Sequence, residues 1–148
     1  SLALRRAHVT GLFPTPAECA AIEADVREIL AEAPAVCALR AQHLVGLGGV
    51  LSSTSRLHAL LYLAEPQRCI AAAALAPMIA MLGSGRPLEE RDTALLLRAA
   101  PDRLHNIVPG MIIARVLAET FAAEDITCSD GGVREGYIRA EILGGSGV

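Results

Sequence analysis

The sequence predicts an α/β domain with a mixed sheet, and three observations carry that reading. Two short apolar runs, residues 42–47 and 126–128, each enter a glycine-bearing turn, as strands do before a helix. Around and between them, apolar residues recur at the three- and four-residue spacing of helices that must cover something. A length of 148 residues is enough for one domain with a sizeable core and short for two.

Taken in order, residues 1–12 are rich in apolar and β-compatible types and stop at Pro14-Thr15-Pro16, which reads as an opening strand or hairpin whose strands pair with each other. Thr15-Pro16-Ala17-Glu18 is a capping-box pattern with proline at the first helical position, so a helix should start there. Ile22, Val26, Ile29 and Leu30 give that helix one apolar stripe, suited to covering a sheet, until Pro34 ends it. Residues 42–47 then form a strand that runs into glycines. Ser52-Ser53-Thr54-Ser55 and a stripe of Leu57, Leu60 and Leu61 follow as a helix.

Residues 71–82 and 88–99 read as helices about the turn Gly83-Ser84-Gly85, together a helical insertion from about 64 to 105. Val108, Ile112 and Val116 with Ile113 and Leu117 make the wide apolar face of a helix buried between layers. After the strand at 126–128, Ser129-Asp130 can cap a last helix over roughly 133–142. The domain is read as 1–143, with 144–148 a flexible tail.

Composition excludes several classes. The hydrophobic fraction is 53%, but the longest apolar run, Ile70 to Leu82, is broken by Pro77 and falls short of the roughly 18–20 residues a membrane span needs. With 3% aromatics and a net charge of −3, the chain has neither the stacking platforms nor the basic stripe of a nucleic-acid binder. Neither nucleic acid nor membrane is expected as a partner, and an anionic ligand must be held locally. Cys19, Cys37, Cys69 and Cys128 form no C-x-x-C pair, so neither a zinc site nor a disulfide framework is indicated. They read as buried thiols of a reducing compartment, and the chain as a cytoplasmic fragment.

The segment with chemical promise is Gly46-Leu47-Gly48-Gly49. Between a strand and a helix, its glycines let a ligand approach the backbone, and the helix start offers unpaired N–H groups and a positive dipole end. An anionic or nucleotide ligand would suit it. Arg103, ahead of the apolar helix, could fork onto a phosphate or stack on a base, or simply pair with Asp102. His8, His43, His58 and His105 lack ligand-spaced partners, so no metal site is assigned. Arg134 and Glu135 are neighbours on a helix and cannot both face one ligand.

Val45-Gly46-Leu47-Gly48-Gly49, Val108-Pro109-Gly110-Met111-Ile112 and the run from Ile126 through Ser129-Asp130-Gly131-Gly132-Val133-Arg134-Glu135-Gly136 together resemble the C-terminal half of the exopolyphosphatase and guanosine pentaphosphate phosphatase family. That family belongs to the actin, sugar kinase and chaperone ATPase superfamily. The resemblance implies a ribonuclease H-like mixed sheet, half of a two-domain actin-like fold, with the strand order carried over from the family. It implies a parent hydrolase that releases terminal phosphate from polyphosphate or guanosine pentaphosphate with Mg2+. The phosphate loops and catalytic glutamate then belong to an N-terminal domain that is this chain's own missing partner.

On that reading Gly48, Gly49, Ser52 and Arg103 bind phosphate. No catalytic residue is assigned, and the isolated chain is expected to bind no metal and to be inactive. Three departures from the family pattern stand out: Val50 where it has a threonine, His105 where it has an aspartate, and Leu4-Arg5-Arg6 with Thr10-Gly11 in the opening segment. They leave room for a different class of function, a non-catalytic module for binding phosphorylated nucleotides or for dimerisation. Homodimerisation and the choice between polyphosphate and guanosine polyphosphate are open on sequence.

Overall fold

The structure, a computed structural model, describes residues 1–62, 65, 68–129 and 137. The chain opens with α1 (Leu2–His8), α2 (Pro16–Ala31) and the single turn α3 (Pro34–Cys37), then β1 (His43–Leu47) and α4 (Gly49–Tyr62). The strand β2 (Cys69–Ala71) continues through a 3-10 turn (Ala72–Ala74) into α5 (Leu75–Leu82), followed by α6 (Glu90–Ala99), α7 (Leu104–Phe121) and β3 (Asp125–Ser129). Among the described residues the sheet has three strands in the order β1-β3-β2, with β1 parallel and β2 antiparallel to β3.

The capping box forms as its residues dictate. The Thr15 hydroxyl accepts the Glu18 N–H at 3.3 Å, and the Glu18 carboxylate accepts the Thr15 N–H at 2.7 Å. That carboxylate also takes the backbone N–H and hydroxyl of Thr10, at 3.0 and 2.9 Å. With the Thr15 amide bond as the largest cause, its pKa is drawn down to about 2.

The centre of the core is α7, where Ile107, Val108, Met111, Ile112 and Val116 are fully buried. It is flanked by α1, α2, α4 and α5, whose Ile22, Leu57, Leu75 and Met78 are also fully buried. The sheet turns Ile70, Ile126 and Cys128 into this core, while Val45, 70% exposed, and Leu47 face outward from β1.

Several sequence expectations need correction. The expected opening strand or hairpin is helical. Leu2–His8 is made largely of alanine, leucine and arginine, which favour helix, and the β-compatible Val9 and Thr10 form no strand. No opening strands exist to pair with one another. The stretch from 64 to 105 is not wholly helical, because Cys69–Ala71 joins the sheet beside β3. The helix α2 packs mainly on α7, α1 and α3 instead of covering a sheet. The expected helix at 133–142, the Asp130 cap, Arg134, Glu135, Gly136 and the tail lie outside the described residues, apart from Tyr137, which is helical and exposed. No helix among the described residues is long and apolar enough to cross a membrane.

Candidate functional site

Because β1 and β3 are parallel, their carboxyl ends lie side by side, with Leu47 in register with Ser129. Ligands of open α/β sheets characteristically sit outside the carboxyl ends of the strands. The turn from β1 into α4 occupies that position. Gly48 has φ +104°, a left-handed conformation that a side chain would strain, although no atom stands where its Cβ would be. This one residue reverses the chain so that α4 starts directly at Gly49. The first N–H groups of α4 then have no acceptor within the helix.

Two further contacts fix how α4 sits. A Cβ at Gly46 would fall 2.0 Å from Leu51 Cδ1, so the bare strand position lets Leu51 fold down over the sheet. A Cβ at Gly110 would fall 2.2 Å from Val50 Cγ1, so Val50 is seated in a notch on α7. The hydroxyl expected from the family at position 50 is replaced by packing. Of the hydroxyls that follow, Thr54 is buried and donates to the Val50 carbonyl at 2.9 Å, and Ser53 is buried and accepts from Arg56 at 3.2 Å. Both serve the helix. Ser52 is half-buried, and its amide reaches the Gly48 carbonyl at 3.4 Å in the first turn.

Arg103 precedes α7 as its N-cap, yet its guanidinium lies against the start of α4. A Cβ at Gly49 would come 3.1 Å from Arg103 Nε and 3.3 Å from Nη2. Sequence reasoning singled out Gly48, Gly49, Ser52 and Arg103 separately, and the fold brings Gly48, Gly49 and Arg103 into one place, with Ser52 one turn into α4. The ion pair considered between Arg103 and Asp102 does not form. Arg103 is exposed, and among the described residues its side chain makes no hydrogen bond or ion pair. A free guanidinium beside unpaired helix N–H groups suits a phosphate.

Asn106, in the first turn of α7, is not among the residues singled out on sequence. It is 7% exposed, and its Oδ1 is buried without a partner among the described residues. The histidines have ordinary roles: His8 meets Asp25 at 2.5 Å, His43 meets Asp125 at 2.8 Å, and His58 stacks near Tyr62. All four cysteines are free, and burial pushes the Cys19 and Cys69 thiols up. A separate cavity of about 380 Å3 lies between α2, α5 and α7, bordered by Cys19, Glu23, Gly83 and Arg115, and contains none of the site residues. Among the described residues no group of three or more carboxylates, imidazoles or thiols could hold a metal ion.

A family model described as the Ppx/GppA phosphatase family matches residues 2–143. Among solved structures, the crystal structure of the Aquifex aeolicus member of the Ppx/GppA protein family superposes with a TM-score of 0.73 at 22% identity, over 99% of this chain and 47% of that one. At that identity the likeness speaks for the fold, a mixed α/β unit consistent with half of an actin-like molecule, and this chain spans under half of that relative's length. No curated protein matches.

Proposed function

Because the chain belongs to the Ppx/GppA phosphatase family, we propose that it is the phosphate-holding half of a phosphoanhydride hydrolase that releases terminal phosphate from polyphosphate or guanosine pentaphosphate. The observation that carries this reading is the unpaired Arg103 guanidinium resting on Gly49 at the head of α4. In this role Gly48 sets the turn, the first amides of α4 and the helix dipole face the anion, and Arg103 closes over it with two or more N–H donors. Ser52 stands one turn along as a further donor.

The same residues supply no general base and no nucleophile. In this reading they bind and orient the phosphate chain, and the attacking water and its base come from the other half of a longer parent, facing this domain across a cleft. The isolated chain then binds without turning substrate over. The second reading, a non-catalytic binding or dimerisation module, draws support from Val50, whose place in the Gly110 notch leaves the turn one hydroxyl short.

Calorimetric titration of the chain with polyphosphate and with guanosine tetraphosphate tests the proposal, alongside Arg103→Ala. Binding by the unaltered chain and a ten- to hundredfold weakening in the variant are expected, the loss of one charge-assisted contact. Equal affinity in the two proteins removes Arg103 from the site and the support for this reading with it.

A further inference from the structure

Asn106 is a polar residue that the fold does not use. A buried amide oxygen without a partner is costly, and native interiors rarely keep one without a reason. Its position narrows the reason. On α7, Asn106 precedes Gly110 by four residues and so points within about 40° of it around the helix. Gly110 is the residue against which Val50 of α4 is packed. Asn106 therefore faces the first turn of α4, and its own backbone N–H donates to the Arg103 carbonyl at 2.9 Å. One turn toward solvent along the same stripe stands Arg103, its guanidinium without a partner among the described residues, against Gly49. The orphaned acceptor thus lies behind the cation that forms the candidate phosphate site.

The chemistry of that atom separates ligands. Arg103 and the α4 amides are donors, matched to phosphoryl oxygens. Asn106 Oδ1 is an acceptor, and the oxygens of an ionised phosphate chain are acceptors too, so inorganic polyphosphate offers it nothing. A ribose hydroxyl or a base N–H would satisfy it. A site with a buried acceptor discriminates strongly between ligands that carry the matching donor and ligands that do not.

Resting on the phosphate-site reading above, we infer that Asn106 is a specificity-determining residue. It takes an O–H or N–H of a nucleoside polyphosphate whose phosphates lie at the head of α4, and it thereby favours nucleotides over polyphosphate. Arg103 swings from its place on Gly49 to admit the donor.

The test is Asn106→Leu, close in volume and without the acceptor, titrated in the 148-residue chain with guanosine pentaphosphate and with inorganic polyphosphate. The expected result is about tenfold weaker nucleotide binding, unchanged polyphosphate binding, and a melting temperature no lower than that of the unaltered chain. A parallel fall for both probes, no fall for either, or a lowered melting temperature with both affinities intact would each make Asn106 structural and overturn the inference. Should the leucine variant not fold, Asn106→Ala is read by the same ratio of the two affinities. If the unaltered chain binds neither probe, the phosphate-site reading itself fails and carries this inference down with it, a result distinct from a variant that binds both equally.

Discussion

Toward its C-terminal end, α7 meets α2 through four charges that close on one another. Arg27 reaches Glu23 at 2.7 Å and Glu119 at 2.5 Å, and Arg115 pairs with Glu23 and stands 3.6 Å from Glu119. At its N-terminal end, the same helix presents Arg103 and Asn106 with no partner among the described residues for the guanidinium or the amide oxygen. In the first region the charges are matched, and among the buried atoms described there Arg115 Nε lacks a partner. In the second, the unmatched groups gather beside a glycine turn. Matched charges between helices set how α2 sits on α7, whereas the unmatched groups at the ends of the parallel strands are, on the reading proposed above, where a ligand would complete the set.

That contrast can be broken from either side. The largest expected effect on stability is for Arg115→Ala, which leaves Glu23 short of one of its two cations in a half-buried position. A loss of about 1–2 kcal/mol is expected in urea unfolding, with phosphate affinity unchanged. A variant as stable as the parent chain would show the four-charge cluster to be ornamental, as many surface pairs are.

A smaller effect, present near neutral pH and vanishing in acid, is expected from Glu18→Gln. The Glu18 carboxyl titrates at about 2 in the folded chain against an ordinary value of 4.5, so folding favours its ionised form. Its contribution is complete above about pH 4.5 and is lost as pH falls through the range toward 2. Thermal melts between about pH 6 and pH 2 should therefore fall more steeply for the parent chain than for the glutamine variant. Parallel curves would mean that the bonds to Thr10 and Thr15 do not persist in solution.

The two regions also differ in how legible they were. The capping box at Thr15 and Glu18 was readable because its chemistry is local, complete within four residues. The β1 turn into α4 was readable for the same reason, since a strand entering glycines at the start of a leucine stripe has few other solutions. Val9 and Thr10 drew the opening segment toward a strand, although Leu2 to Ala7 before them favour helix, and Thr10 in fact bonds to Glu18 at the head of α2. The strand β2 went unseen because Cys69-Ile70-Ala71 merges with the alanines of the next turn, and only its antiparallel pairing with β3 makes it a strand. Gly49 and Arg103 could each be picked out, but their contact depends on the packing of α4 on α7, which neither segment encodes alone. Glu23 with Arg27 and Arg115 with Glu119 were visible as pairs four apart. That the two pairs face each other was not. Asn106 left one trace, a polar residue four positions before a glycine and directly ahead of the apolar run from Ile107 to Ala114.

The central claim is that the head of α4 with Arg103 is where this chain holds phosphate. Amide chemical shifts of the labelled chain during titration with polyphosphate test it most directly. The account expects the largest shifts at Gly48, Gly49 and Val50 and at the Arg103 side chain, saturating together. Shifts centred instead on the cavity between α2, α5 and α7, with Gly48 and Gly49 unmoved, would contradict it.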